Sequence, residues 1–170
     1  MYFCSRRSKK RTVKNLLQKK YILNITPETH VRTTVGDRIL FRIPRAKLRP
    51  PGLKRLLRIE KYNNYKISLS AEAKNKKFAF PSHGISITFF IPVPPSWSKK
   101  KKKLHHGMLH QSTPDLSNLL KAMEDSMVSE DKYIAQYSAC KRWVDFEDGW
   151  IEIEVNETPC QVTITPPVKE

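Results

Sequence analysis

The sequence predicts an α+β fold: a single mixed-sheet domain with two main helices and a C-terminal β-hairpin. Residues 85–93 alternate in the manner of a strand, and the chain after Pro114 carries apolar residues at helical spacing. Two further strand-like segments, 133–144 and 150–155, close the chain around a short turn. Because strands and helices are mixed and the last pair is antiparallel, the pattern indicates α+β. A length of 170 residues fits one such domain.

The first part of the chain is predicted to be a basic N-terminal extension, residues 1–35. Leu16, Leu17, Tyr21 and Ile22 would allow a short docked amphipathic helix there, and a disordered arm is the alternative. Residues 37–43 alternate and predict a strand. The prolines and glycine of residues 44–52 then predict a loop that carries basic side chains as far as Arg58.

The remaining elements follow in order within a predicted domain of residues 36–158. Residues 62–77 favour a helix because Ala, Glu and Lys fill their second half. Residues 85–93 form a strand that Pro94 and Pro95 end. Residues 96–113 show no regular pattern, and a helix follows from 114 to about 128. The turn of the closing hairpin spans 145–149, and residues 159–170 are a C-terminal tail.

The net charge of +16, from 32 basic and 16 acidic side chains, points to a polyanionic partner, since so large a charge opposes compact folding. The charge is unevenly distributed. Residues 1–60 carry 17 basic and 3 acidic side chains, 61–110 carry 10 and 1, and 111–170 carry 5 and 12. This asymmetry indicates a nucleic-acid-binding surface around a site that needs carboxylates.

The cysteines exclude a disulfide framework and a structural zinc site. Cys4, Cys140 and Cys160 are odd in number and far apart, with no CxxC pair. No apolar run approaches the roughly 18 residues of a membrane span, and the N-terminus lacks the apolar core of a secretory signal. We expect a cytoplasmic protein.

Acidic residues gather around the helix that follows Pro114. Asp115, Asn118, Lys121 and Asp125 are three or four residues apart and form a polar stripe opposite the leucines. The pair Glu130-Asp131 follows shortly after the helix. Clustered carboxylates repel one another unless a cation offsets them, and Mg²⁺ prefers such oxygen ligands. A magnesium ion supports phosphodiester hydrolysis by activating water and stabilising the leaving oxygen, while Lys121 would hold the phosphate.

The same residues allow a structural interpretation. Pro114-Asp115 is an ordinary helix start, with an acid facing the helix dipole, and Asp125 and Glu130-Asp131 would then be solvated. Spacing alone does not separate the two interpretations. The surrounding positive charge favours the functional one.

The stretch Pro-Asp-Leu-Ser-Asn-Leu-Leu-Lys-Ala-x-x-Asp from Pro114 to Asp125, followed by an acidic pair, resembles the RusA family of Holliday junction resolvases of phage and prophage origin. The resemblance is specific over 114–131 and looser over about 37–155. It implies a dimer with a mixed α/β fold and Mg²⁺-dependent paired nicking of a four-way DNA junction in the bacterial nucleoid. It also implies that Asp115 and Asp131 bind metal and that Lys121 is essential, while Asp125 and Glu130 match further acidic positions.

Ser117 departs from this pattern, because the family has a second catalytic Asp at that position. A neutral hydroxyl is a poorer Mg²⁺ ligand than a carboxylate. We therefore expect junction binding with slow cleavage or none.

Basic residues predict how the chain holds DNA. The run Lys99, Lys100, Lys101, Lys102 and Lys103 precedes the acidic helix and is expected to contact phosphates on a loop, although such runs are often only solvated. Arg42, Arg45, Lys47 and Arg49 are second-tier candidates. In the loop after residue 95, Trp97 is either a stacking platform for an unpaired base or a docked hydrophobic anchor. His105, His106 and His110 are expected to make polar or phosphate contacts rather than bind zinc.

Three functions are therefore open. The first is a junction-resolving nuclease, and the second is the same scaffold weakened by Ser117 into a junction-binding protein. The third is a basic RNA-binding module, although the chain lacks the stacked aromatic residues of single-stranded RNA readers. No membrane or small-molecule partner is expected.

Overall fold

A computed structural model describes residues 19–81, 84–128, 130, 132 and 134–155. The strands are β1 (Lys19–Leu23), β2 (Ile85–Pro92), β3 (Tyr137–Val144) and β4 (Trp150–Val155). The helices are α1 (Asp37–Leu40), α2 (Pro50–Asn75), α3 (Lys99–His105) and α4 (Leu116–Met127), and a 3₁₀ turn spans Arg45–Lys47.

The described strands form one mixed sheet in the order β1-β4-β2-β3. Strand β4 is antiparallel to both β1 and β2, whereas β2 is parallel to β3. The two C-terminal strands, β3 and β4, are joined by a turn and run in opposite directions, as predicted. Strand β2 lies between them in the sheet. The α+β prediction with two main helices, α2 and α4, is confirmed.

The core lies between the sheet and the two long helices. Alternate residues of β2 and β4 are buried, and these meet the apolar faces of α2 and α4. Fully buried side chains include Leu69 of α2, Phe89 of β2, Leu119 and Met123 of α4, and Ile151 of β4. Burial on this scale supplies the main stabilisation of the fold and fixes α4, which carries the acidic motif, against the sheet.

The strand predicted over residues 37–43 is wrong, since α1 and two turns occupy this segment. The Asp37 carboxylate accepts hydrogen bonds from the Thr34 N–H at 2.7 Å and the Thr34 hydroxyl at 3.0 Å. Arg55 of α2 donates to both oxygens of the same carboxylate at 2.9 Å. A partly buried ion pair therefore holds a helical turn against α2, and long-range contact overrides the local alternation.

The predicted loop that begins at Pro44 ends earlier than expected, because Pro50 and Pro51 open α2 rather than interrupt it. Proline fits the first helical turn, where an N–H has no intrahelical partner and the fixed φ is already helical. Helix α2 then runs 26 residues, so the predicted helix of residues 62–77 is its second half. Arg55 and Arg58 accordingly lie on a helix.

The lysine run is helical, so the irregular segment predicted over 96–113 is wrong in part. Ser98 caps α3, and its hydroxyl oxygen accepts from the Lys101 N–H at 3.3 Å. Tyr21 and Ile22, expected in a short helix, belong to β1, which pairs with β4. Leu16, Leu17 and the rest of residues 1–18 lie outside the described residues, as does the tail 159–170.

The turn between β3 and β4 packs tightly at Gly149. A Cβ at this position would lie 2.3 Å from the Phe90 carbonyl oxygen, so only glycine fits. The Gly149 N–H donates to the Thr26 hydroxyl at 3.0 Å. This contact joins the turn to the segment that follows β1.

Candidate active site and nucleic-acid interface

Asp115 lies at the start of α4, exposed, in extended backbone geometry with φ −69° and ψ 142°. Its carbonyl oxygen accepts the first helical hydrogen bond, from the Leu119 N–H at 3.2 Å. Within the described residues its carboxylate accepts no hydrogen bond from a backbone N–H of α4. One carboxylate oxygen lies 3.5 Å from the side-chain amide nitrogen of Asn118. An acid at a helix start usually caps the helix, so this carboxylate is turned toward solvent and available to a ligand.

The polar stripe predicted on α4 is present, with Leu119, Ala122 and Met123 buried on the opposite side. The Lys121 ammonium reaches toward the far end of the helix, 3.3 Å from Asp125 and 3.9 Å from Glu124. Asp115 and Asp125 are ten residues apart, which separates them by about 15 Å along the axis. The two carboxylates are therefore not brought together on one ion.

Asp125 is held by partners that lie far away in the sequence. Its Oδ2 accepts a hydrogen bond from the Tyr62 hydroxyl at 3.2 Å and lies 3.4 Å from His30 Nε2. Burial and the neighbouring Asp125 carboxylate raise the pKa of Tyr62, so the phenol remains a donor. The backbone N–H of His30 donates to the backbone carbonyl of Asn118 at 3.1 Å. These contacts join α2, α4 and the segment after β1 around Asp125.

Ser117 is exposed on the first turn of α4, two residues after Asp115. Glu130 is exposed beyond the helix end and pairs with Lys132. Asp131 lies outside the described residues. Across the described residues, no group of three or more His, Cys, Asp or Glu side chains is arranged to hold a metal ion.

The five lysines of α3 are presented on a docked helix. Trp97 packs edge-on against His105 at 4.8 Å and lies 5.2 Å from the buried Trp143 of β3. The Lys101 ammonium lies 3.9 Å above the Trp97 ring, a cation–π distance. Trp97 is therefore a docked hydrophobic anchor rather than a stacking platform. Lys99, Lys100, Lys101 and Lys103 are exposed, with Lys101 lying over the Trp97 ring.

Fold and motif together agree with the comparison to known families. The family model described as Endodeoxyribonuclease RusA matches residues 43–156, about two thirds of the chain. The chain belongs to the RusA family. Family membership implies an endodeoxyribonuclease that acts on branched DNA, the Holliday junction. No curated protein gives a significant match.

RusA nucleases generally depend on a divalent metal, and the start of α4 carries oxygen donors of the kind that such an ion prefers. Asp115 offers an exposed carboxylate and Ser117 an exposed hydroxyl, both hard oxygen donors. Mg²⁺ is commonly held by one or two carboxylates and retains several waters, so a full protein cage is not required. The match begins at residue 43, so β1 of the sheet precedes the part that the RusA model covers.

The other basic candidates surround the 3₁₀ turn and are exposed: Arg42, Arg45, Lys47 and Arg49. Arg45 differs from the rest, because its guanidinium donates to both oxygens of Glu60 at 2.7 and 2.8 Å. Its charge is thus partly offset, whereas the other three remain candidates for phosphate contact in this RusA protein.

The three histidines at the end of α3 and in the connection to α4 have separate surroundings. His110 is buried, with its ring 3.7 Å from Trp143, and burial lowers its pKa. His105 Nδ1 lies 2.9 Å from the Lys101 carbonyl oxygen. His106 Nδ1 accepts from the Asp145 N–H at 3.0 Å. His110 is thus a packed core residue rather than the polar loop contact expected of it.

Sequence reasoning missed three residues around the motif: His30, Tyr62 and Lys141. Their positions in the sequence carry no signal, because each reaches α4 or the preceding loop only through tertiary contact. Lys141 lies on β3, where its ammonium donates to the Ser112 and Pro114 carbonyls.

Of the helices that the structure describes, none is long and apolar enough to cross a membrane.

Proposed function

We propose that this protein is a Mg²⁺-dependent resolvase that acts as a homodimer and makes paired nicks in a four-way DNA junction. One observation carries the proposal. The exposed Asp115 carboxylate, at the start of α4, makes no capping hydrogen bond to its own helix. Lys121 follows about two turns later on the same helix. A carboxylate that contributes no cap to its own helix is better explained by a ligand than by stability.

The proposed roles follow from the chemistry of each group. Asp115 and Asp131 bind Mg²⁺, and Glu130 is a second acid beside Asp131. Ser117 lies beside that site, and its hydroxyl is a weak ligand for the ion. When bound, the ion supplies charge stabilisation to the scissile phosphate and activates water. Lys121 offsets the charge that develops on the phosphate, and Asp125 holds the Lys121 ammonium in place.

DNA binding is assigned to two basic surfaces. The first is α3, whose exposed lysines project from a helix anchored by Trp97. The second surrounds the 3₁₀ turn and includes Arg42, Lys47 and Arg49, with Arg45 contributing less because Glu60 pairs with it. Phosphate contacts of this kind position the duplex without reading its sequence, as a structure-selective nuclease requires.

The homodimer follows from the substrate. A four-way junction presents two equivalent strands, and cutting both requires two active sites related by a twofold axis. Each chain contributes one Asp115 site in this proposal.

A second candidate, a junction-binding protein of low activity, is favoured by Ser117 alone. It differs from the first only in the rate of cleavage, since the binding surfaces are shared. An RNA-binding module has no comparable support beyond the net charge of +16.

Single-turnover cleavage of a four-way junction, a linear duplex and a single strand tests the proposal, with a Mg²⁺ titration and an EDTA control. We expect paired nicks in the junction that require Mg²⁺, absent in Asp115→Asn. The matched control is Asp145→Asn, an exposed acid of the β3–β4 turn, which should cleave normally. Tight junction binding without any cleavage would select the second candidate, and preferential RNA binding would contradict both.

A further inference from the structure

Lys141 of β3 makes two contacts with the loop that precedes Asp115. Its ammonium donates hydrogen bonds to the carbonyl oxygens of Ser112 and Pro114, 29 and 27 residues earlier in the chain. The second of these carbonyls belongs to the residue directly before Asp115. Hydrogen bonds from a charged donor are roughly twice as strong as neutral ones, so this is a strong clamp on a short segment.

The loop lies along β3 for several residues before reaching Lys141. The Gly107 N–H donates to the Trp143 carbonyl at 2.8 Å, and the Trp143 N–H donates to Met108 at 2.9 Å. The His110 N–H then donates to the Lys141 carbonyl at 2.9 Å. Backbone pairing with the edge strand therefore ends at His110, five residues before Asp115.

The Lys141 ammonium continues this attachment where the backbone pairing stops. Ser112 to Pro114 form bends rather than strand or helix, so their carbonyls need other donors. The Ser112 N–H lies 3.4 Å from His110 Nδ1, and the buried His110 ring packs against Trp143. Lys141 thus joins the core of the sheet to the first residue of the motif.

We propose that Lys141 is a positioning residue for the metal site: it fixes Asp115 by holding the Ser112 and Pro114 carbonyls. The inference rests on the proposed function, because it assumes that Asp115 binds the ion. Two of the three ammonium N–H groups are occupied by carbonyls, so the side chain serves mainly to hold the loop. Residues that orient a metal ligand typically change metal affinity by 10–100-fold when they are replaced.

The test compares Lys141→Met with Lys141→Arg and with Arg142→Met as the matched control. Arg142 is the next residue on β3, and its Nη1 also donates to a loop carbonyl, that of Gly107 at 2.7 Å. Mn²⁺ serves as the probe, and its affinity for the full chain is measured by electron paramagnetic resonance without DNA. Deuterium exchange of residues 111–116 and junction affinity in EDTA are measured on the same samples.

We expect Lys141→Met to weaken Mn²⁺ binding about tenfold and to speed exchange at residues 111–116, with junction affinity in EDTA changed less than twofold. Lys141→Arg should restore most of the Mn²⁺ affinity, and Arg142→Met should retain it. If Lys141→Met unfolds too readily for titration, Lys141→Gln is used and should show the same direction of change.

Unchanged Mn²⁺ affinity in folded Lys141→Met or Lys141→Gln would overturn the inference and leave the proposed function intact. An equal loss in Arg142→Met would overturn it too, because the effect would then belong to the strand edge in general. If the unaltered protein neither binds Mn²⁺ nor cleaves junctions, the proposed function fails and the inference fails with it.

Discussion

Lys121 and Asp125 form an ion pair one turn apart on α4, with the ammonium 3.3 Å from Asp125 Oδ1. The other carboxylate oxygen of Asp125 accepts a hydrogen bond from the Tyr62 hydroxyl. Asp125 therefore links the lysine of the family motif to the long helix α2. Its distance of about 15 Å from Asp115 along the helix separates this role from metal binding.

Replacing Asp125 by Asn should slow cleavage without changing the requirement for Mg²⁺. The neutral amide holds the Lys121 ammonium less firmly, and misplacing a catalytic group lowers rates by up to about 10²-fold. Single-turnover rates across a Mg²⁺ titration measure both quantities. A several-fold rise in the Mg²⁺ concentration for half-maximal rate would instead make Asp125 a metal ligand.

Ser117→Asp should raise the Mg²⁺-dependent rate by at least about tenfold, equivalent to roughly 1.4 kcal/mol of barrier. The added carboxylate stands two residues from Asp115 and supplies the charge that the hydroxyl lacks. Single-turnover cleavage of a four-way junction by both forms measures the gain. Ser117→Asn, which has the shape of Asp without its charge, should show none. An Asp form no faster than the unaltered protein would show that Ser117 is not part of the metal site.

The exposed lysines of α3 that do not lie over the Trp97 ring should account for part of the salt dependence of junction binding. Each lysine that neutralises a phosphate adds about 0.9 to the slope of log affinity against log salt. Changing Lys99, Lys100 and Lys103 together to Gln should therefore lower the slope by about 2 to 3. The same three positions changed to Arg keep the charge and should keep the slope. A slope that the Gln variant leaves unchanged would place α3 away from DNA.

Trp97→Ala should destabilise the protein by on the order of 2 kcal/mol, because the half-buried ring contacts Trp143, His105 and the Lys101 ammonium. Trp97→Phe retains an aromatic ring and should lose less than half as much. Urea unfolding gives both values, and deuterium exchange at residues 99–105 reports whether α3 detaches. Unchanged exchange in Trp97→Ala would show that other contacts hold the helix.

The Asp37–Arg55 pair should make stability depend on pH in the acid range. Hydrogen bonds from Arg55, and then from Thr34, lower the pKa of Asp37 below its ordinary value near 3.8. A lowered carboxyl pKa contributes stability that is complete above that ordinary value and is lost as pH falls toward the folded-state pKa. Asp37→Asn should be less stable at pH 7, and its deficit should shrink below about pH 4.

Urea unfolding from pH 7 to pH 3 measures the deficit of Asp37→Asn. Glu60→Gln is the control, since the Arg45–Glu60 pair has an exposed arginine and pairs of that kind contribute little. A deficit that stays constant as the pH falls would show that the Asp37 charge does not matter.

The elements with strong local periodicity and the family of the motif could be predicted from the amino-acid sequence. The alternation of β2 and β4 and the apolar stripe of α4 were predicted near their observed bounds, because each buries one regular face. The motif from Pro114 to Asp125 pointed to the RusA family, which the family model confirms. The roles of Asp115, Lys121 and Asp131 stay predictions.

The remaining elements depend on contacts between distant parts of the chain. Segment 37–43 was misassigned because a distant arginine stabilises a helical turn that the local alternation does not favour. The helix at 99–105 begins at the local cap Ser98, and it is docked through the contact between Trp97 and the distant Trp143. The position of β2 between β3 and β4 depends on pairing between strands far apart in the sequence. The Lys141 ammonium contacts the Pro114 carbonyl, just before Asp115, from a position 27 residues later in the chain. Contacts of such long range leave no periodic trace in the chain, since their partners meet only once the core has formed.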